Sequence, residues 1–321
     1  MSFFRNTVWF IKGMKEYTKS GFLSASRNFN ANDLDVDCAG KSYMITGANS
    51  GLGKETAIEL AKRGGTVHMV CRNKERGEVA LQEIKKDSSN EKVHLHVVDM
   101  SKPRDILKFA LDFIESGEQL NVLVNNAGCM VNQRELTEDG FEKNFATNTL
   151  GTHILTTTMI PLLQKSQAAR VIIVSSGGML VQKLNGKDLQ FEQLSPFDGT
   201  MAYAQNKRQQ IVMTETYSKL WPDIHFSSMH PGWSDTPAVQ QSMPDFHAKM
   251  KDKLRSIPQG ADTIVWLCIS EAALQRASGL FFQDRQPVNT HLPLAWTRSS
   301  ASEEESFMQE LNSLTEKFTQ P

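Results

Sequence analysis

Tyr203 and Lys207 stand four residues apart in Tyr203-Ala204-Gln205-Asn206-Lys207. On a helix that spacing puts both side chains on one face. An ammonium beside a phenol favours the phenolate and draws its pKa toward neutrality, which suits Tyr203 to proton transfer. Such pairs also arise by chance on helix surfaces, so their place in the chain must carry the weight. The apolar run Val171–Val174 ends in Ser175-Ser176-Gly177-Gly178. A hydroxyl at the carboxyl end of a parallel strand reaches the crevice where doubly wound sheets bind ligands. The same residues would also make a plain turn. Asn148 falls mid-helix in Phe145-Ala146-Thr147-Asn148-Thr149-Leu150-Gly151. Asparagine is a poor interior helix residue, so it either faces solvent or bends the helix and offers polar groups to a site.

A second group of residues could hold a dinucleotide. Thr46-Gly47-Ala48-Asn49-Ser50-Gly51-Leu52-Gly53 lies between the strand-like Tyr43–Ile45 and the helix-like Thr56–Ala61. Gly47 would permit the tight turn, Gly51 the close approach of a pyrophosphate, and Gly53 the packing of helix on strand. Asn49, Ser50 and Leu52 complete the turn, and the helix N-terminus would face the phosphates with free N–H groups. An acid at the end of the second strand would hold a ribose 2′-hydroxyl. Here the residues are Val70-Cys71-Arg72-Asn73. Arg72 suits a 2′-phosphate instead, which favours NADP(H) over NAD(H). Asp99, after the third strand, could accept from an adenine amino group or cap the next helix, although Ser101 is the better-placed cap. Asn125-Asn126-Ala127-Gly128 follows Val122–Val124. Small and amide residues there would let a flat ligand pass over backbone, or tie adjacent strand ends together. Finally, His230-Pro231-Gly232-Trp233-Ser234-Asp235-Thr236 offers a rigid Pro231-Gly232 turn to wall one side and Thr236 as a hydrogen-bond donor.

The elements that must position these residues alternate. Strand-like runs fall at Tyr43–Ile45, Val67–Val70, Val93–Val98, Val122–Val124, Val171–Val174 and His225–Ser228. Helical patterns fall at Lys54–Arg63, Lys74–Lys85, Arg104–Ser116, Glu138–Gln164 and Tyr203–Leu220. Near-continuous apolar strands with helices between them imply one doubly wound parallel sheet covered on both faces. After Pro231 the pattern loosens into a flap over residues 233–258, then helix Ala261–Ser270 and strand Leu280–Phe282. A loop over 287–301 leads to a capping box beginning at Ser302-Glu303-Glu304-Glu305. Phe307, Leu311, Leu314 and Phe318 then form one helical face, for the domain or for a partner subunit.

Composition narrows the function. With 321 residues and a formal net charge of −1, nothing points to nucleic acid. Cys38, Cys71, Cys129 and Cys268 lie far apart, with neither metal-ligand spacing nor a disulfide framework. They fit a reducing intracellular compartment, cytoplasmic or peripheral on an organelle membrane. Residues 1–30 carry Arg5, Lys12, Lys15, Lys19 and Arg27 against one acid, Glu16, interleaved with Phe3, Phe4, Val8, Trp9, Phe10 and Ile11. Three readings stay open: a helix packed back on the domain, which is favoured, a peripheral membrane contact, or a mitochondrial targeting segment.

In this order the motifs resemble the short-chain dehydrogenase/reductase family, over about residues 40–285, with the texture of its retinol-dehydrogenase-like branch. The resemblance implies a Rossmann domain over 40–285, flanked by the 1–39 extension and a 286–321 loop and helix. It implies Tyr203 as acid or base, Lys207 lowering its pKa and holding the nicotinamide ribose, and Ser176 bonding the substrate oxygen. Asn148 would hold a water linking Lys207 to solvent. No metal is implied, and the family commonly forms homodimers. The expected activity interconverts a carbonyl and an alcohol with NADP(H). The substrate would be small and apolar (lipid-like, retinoid or steroid) if Met179, Leu180, Trp233, Met243 and Met250 line the mouth. The alternative is an NADP(H)-binding scaffold or sensor without significant turnover. NADPH is expected to raise the melting temperature more than NADH does, and Arg72→Ala to erase the difference; a larger shift with NADH would refute the role given to Arg72.

Overall fold

A computed structural model describes residues 2–319. Two helices come first, α1 (Ser2–Glu16) and α2 (Lys19–Ser26). The alternation follows: β1 (Ser42–Thr46), α3 (Gly51–Lys62), β2 (Thr66–Cys71), α4 (Lys74–Ser88), β3 (Val93–Val97), α5 (Pro103–Glu115) and β4 (Val122–Asn125). A short α6 (Lys143–Phe145) runs through a π-turn, Ala146–Leu150, into α7 (Gly151–Leu163), then β5 (Arg170–Val174), α8 (Gly199–Leu220) and β6 (His225–Met229). The last part holds α9 (Pro237–Ser242), α10 (Pro244–Met250), α11 (Ile257–Ile269), α12 (Glu271–Leu274), β7 (Leu280–Gln283), β8 (Gln286–Pro287) and α13 (Ala301–Thr319).

The eight strands make one sheet in the order β3-β2-β1-β4-β5-β6-β7-β8. All neighbours run parallel except β7 and β8, so the fully parallel expectation needs one correction. β8 is two exposed residues, too short to leave a period in the sequence. The order reverses between β1 and β4, which opens a crevice at their carboxyl ends. Alternate residues of each strand enter opposite cores, as strand geometry requires. Tyr43 and Ile45 pack with α3, α4 and α11, while Met44 packs with α5, α7, α8 and α13.

Three further corrections concern ends and interruptions. The helix expected from Glu138 starts at Lys143, where the buried Glu142 carboxylate caps the Phe145 amide at 2.8 Å. The capping box of α13 is Ser300 with Glu303, two residues before the expected start. Phe307, Leu311 and Leu314 of that helix are buried, and Phe318 meets Phe141 at 5.9 Å between ring centroids. Its apolar face therefore covers the domain itself. Residues 233–258 are the two short helices α9 and α10 with their flanks, not an irregular flap.

The N-terminal segment is packed back on the domain. Tyr17 is buried with Met179, Leu180, Trp233, Met250 and Leu254 in a third apolar core, against which Val8, Trp9 and Met14 lie. Gly13 permits this approach, since a Cβ there would fall 2.3 Å from the Trp233 ring. The outward face of α1, with Phe3, Phe4, Phe10 and Ile11, is exposed. Among the described residues no helix is long and apolar enough to cross a membrane.

Arg255 joins this segment to the sheet. Its guanidinium is 1% exposed and pairs with both Asp284 oxygens, at 2.6 and 2.9 Å. It also donates to the carbonyls of Glu16 at 2.6 Å, Tyr17 at 3.1 Å and Pro231 at 3.4 Å. These bonds occupy all five guanidinium N–H groups. Removing one partner of a buried pair leaves the other charge uncompensated, at a cost of about 3–5 kcal/mol. Asp284→Ala is therefore expected to lower the urea midpoint by an amount corresponding to that loss; a change under about 1 kcal/mol would refute the anchoring role.

Candidate active site

The glycine turn connects β1 to α3 as expected. Gly47 and Gly51 have φ of +67° and +54°, in the left-handed region that favours glycine. A Cβ on Gly53 would lie 2.4 Å from the Asn126 amide and 2.5 Å from the Gly47 carbonyl, so only glycine lets α3 start this close to β1. Ser50, at the N-cap of α3, makes no side-chain cap. The first turn thus keeps N–H groups for an anion. Thr236 lies against Gly51, and its hydroxyl caps α9 through the Val239 amide at 3.3 Å. Ser50 is exposed, Asn49 is half-buried, and Leu52 is half-buried against the core beside α3.

Arg72 follows β2 and is exposed. The end of β2 borders the glycine turn, since Gly47 N donates to the Val70 carbonyl at 2.8 Å. Asp99 folds onto Ser101, accepting from its amide at 2.9 Å and its hydroxyl at 2.8 Å. The cap of α5 falls at Lys102 without any side-chain bond, so neither Asp99 nor Ser101 caps it. Asn126 ties the ends of β4 and β1 together: its side-chain amide donates to the Thr46 carbonyl at 2.8 Å and its backbone N–H donates to the Thr46 hydroxyl oxygen at 3.0 Å. The Thr46 hydroxyl also accepts from Ala127 N at 2.9 Å.

The residues expected to transfer a proton lie on α8 and after β5. Lys207, on α8, is buried and donates to the Val174 carbonyl at 2.9 Å and to Gln210 Oε1 at 3.1 Å. Its Nζ stands 5.2 Å from the Tyr203 ring centroid. Burial pushes the Tyr203 phenol up to about 12, outweighing the neighbouring Ser176 side chain, which acts to lower it. The expected depression by the ammonium is therefore corrected: a helical i,i+4 spacing supplies the neighbour, while burial decides the sign. Burial also lowers Lys207 to about 8.

Asn148 lies in the π-turn and is fully buried, so of the two readings the one facing solvent falls away. Such turns occur often at functional sites. Its side chain pairs with the backbone of Cys129, accepting from N and donating to O, both at 2.8 Å. The Asn148 carbonyl accepts from Gln210 Nε2 at 2.7 Å. Gln210 thus bridges Lys207 to the Asn148 backbone carbonyl. Gly128 sits under both, since a Cβ there would be 3.2 Å from Asn148 Oδ1 and 3.5 Å from Lys207 Nζ.

The family model described as short chain dehydrogenase matches residues 41–187. Human dehydrogenase/reductase SDR family member 12 is 59% identical over 318 residues, covering 99% of this chain and 100% of the relative. The chain belongs to the short-chain dehydrogenase/reductase family. Retinol dehydrogenase 12 from Bos taurus is 34% identical, over 78% of this chain and 79% of its own. A short chain dehydrogenase from Escherichia coli CFT073 complexed with NADPH has the same fold, with a TM-score of 0.63 at 19% identity, covering 80% of this chain and 100% of that one.

Within this family fold, several residues at the site were not read from the sequence. Gln210 lies three residues beyond Lys207, a same-face spacing that could have flagged it. Asn144, four residues before Asn148, pairs with the Val131 backbone as Asn148 does with Cys129. Met179, Leu180, Trp233 and Met250 are buried against the N-terminal segment instead of lining an open mouth. An apolar substrate therefore cannot be argued from them.

The Lys207 pKa sets a pH dependence. The ammonium is present below about pH 8 and is lost as pH rises through that value. The kcat/KM of carbonyl reduction reports the free enzyme, so it is expected to fall above about pH 8. Gln210→Leu removes an acceptor from the ammonium and is expected to move this limb to lower pH. A limb that stays in place would refute the role of Gln210.

Proposed function

We propose that this oxidoreductase uses NADP(H) to reduce a carbonyl to an alcohol, with Tyr203 donating the proton. The observation that carries the reading is the placing of Lys207, whose Nζ stands 5.2 Å from the Tyr203 ring centroid and is held by two fixed acceptors. Ser176 and Tyr203 are half-buried, so both can reach a bound oxygen. The elevated Tyr203 pKa suits the reductive direction, because the phenol keeps its proton at neutral pH and delivers it as an alkoxide forms. Lys207 keeps one N–H for the ribose or for the phenolate left on Tyr203.

The residues around the glycine turn fit NADP(H). The uncapped α3 terminus suits the pyrophosphate, and exposed Arg72 suits the 2′-phosphate. When bound, the nicotinamide supplies or takes the hydride. The likeness to retinol dehydrogenase 12 supports an apolar alcohol or aldehyde as the substrate class.

The test is a panel of aldehydes, ketones and alcohols, retinaldehyde included, followed by NADPH absorbance. Tyr203→Phe is expected to lower kcat by roughly 10²–10⁴-fold and to leave NADPH affinity within about two-fold. Turnover that survives the substitution would refute the proton-donor role. NADPH binding without turnover of any carbonyl would instead support the scaffold reading.

A further inference from the structure

The loop that follows Ser176 is held from two sides. Gly177 donates its amide to His230 Nδ1 at 2.9 Å. Gly177 offers its carbonyl to Trp9, whose Nε1 donates to it at 2.7 Å. A side chain at 177 has no room: a Cβ would lie 2.9 Å from His230 Nε2 and 3.0 Å from the Tyr17 ring. The bond at Nδ1 fixes the His230 tautomer with its proton on Nε2. Burial holds His230 neutral, far below its ordinary pKa. Its ring stands edge-on to Tyr17, with centroids 4.3 Å apart. At the far end of the loop Arg5 reaches the Val181 carbonyl at 3.5 Å.

The same N-terminal segment holds the loop after β6. Trp233 N donates to the Tyr17 carbonyl at 2.8 Å, and Trp9 packs on Trp233 with ring centroids 5.6 Å apart. Two catalytic-side loops, one carrying Ser176 and one carrying Pro231-Gly232, therefore share α1 as their support. Ser176 in turn accepts from Gly178 N at 3.2 Å, so its hydroxyl direction follows the course of Gly177 and Gly178.

We propose that the N-terminal segment is a working part of the active site and that Trp9 is a positioning residue, fixing Gly177 so that the Ser176 hydroxyl meets Tyr203 and the substrate oxygen. The proposal rests on Ser176 and Tyr203 being the reacting pair. The segment thus takes part in activity whatever else its outer face contacts.

Trp9→Phe keeps an aromatic ring and removes the N–H donor together with the second ring of the indole. Hydrogen exchange measured by mass spectrometry over residues 175–181 needs no substrate. It is expected to be roughly five- to ten-fold faster in the full-length Trp9→Phe protein, as befits one lost hydrogen bond. Phe10→Ala loosens the contact of α1 with Trp233, at 5.9 Å between centroids, without touching Gly177, and should leave that peptide near the parent rate. With NADPH and retinaldehyde, Trp9→Phe should lower kcat by about ten-fold, with NADPH affinity unchanged. In a Ser176→Ala background it should have no further effect, since the two act through one hydroxyl. Exchange within about two-fold of the parent, an equal rise in Phe10→Ala, or additive losses in the double variant would each overturn the proposal. Failure of the parent protein to reduce retinaldehyde would bear on the substrate class, and the exchange measurement would still decide the role of Trp9.

Discussion

A buried charge without partners costs several kcal/mol, and Arg255 is a charge placed where only a complete set of partners can hold it. Those partners come from three distant parts of the chain: Glu16 and Tyr17, Pro231, and Asp284. Each is a group that something else depends on. The carbonyls of Glu16 and Tyr17 end α1, which supports the loop after Ser176. Pro231 begins the turn after β6 that carries Gly232 and Trp233. Asp284 sits in the β7–β8 turn with φ of +50°, next to Arg285 at +58°. Such backbone costs about 1–3 kcal/mol per residue and persists only where its surroundings hold it. Here each residue of the turn carries an ion pair, Asp284 to Arg255 and Arg285 to Asp262 at 2.6 Å.

A second constraint is the absence of side chains at chosen points. Gly53, Gly128, Gly177 and Gly232 each lie where a Cβ would meet another group. At Gly53 the neighbour is the Asn126 amide, at Gly128 Asn148 and Lys207, at Gly177 His230 and Tyr17, and at Gly232 Arg255. The crevice is lined with backbone because its polar side chains come from behind. Asn144 and Asn148 bond the backbone of the 129–131 stretch, and Gln210 bridges Asn148 to Lys207. The amides do the work of spacing, and the reactive groups stay where they are put.

Much of this was legible in the chain. The β1–β7 alternation, the glycine turn, the Tyr203–Lys207 pair and the mid-helix asparagine each carry a local pattern, and local patterns survive folding. Burial is not local. Tyr203 has its ammonium neighbour four residues on, yet desolvation sets its pKa, and no spacing reports that. The Trp9–Gly177 and Arg255–Glu16 bonds join residues 168 and 239 positions apart. A lone tryptophan in a basic segment says nothing of its partner. Met179 and Met250, read as mouth-lining residues, were apolar for a different reason, since they lie in the core against which α1 packs. β8 escaped because two exposed residues have no period.

The separation between Arg255 and its first partners has a consequence for how the protein is made. At about 5–20 residues per second of synthesis, Glu16 waits roughly 10–50 s before Arg255 emerges, and longer before Asp284 does. For much of that interval Trp9, Met14 and Tyr17 lack Trp233, Met250 and Leu254 of their core, and the outward Phe3, Phe10 and Ile11 add to the apolar surface left open. The helix that is translated first is seated last. A nascent chain can close its dinucleotide half early, but the support beneath Ser176 is completed only when the final strands have left the ribosome.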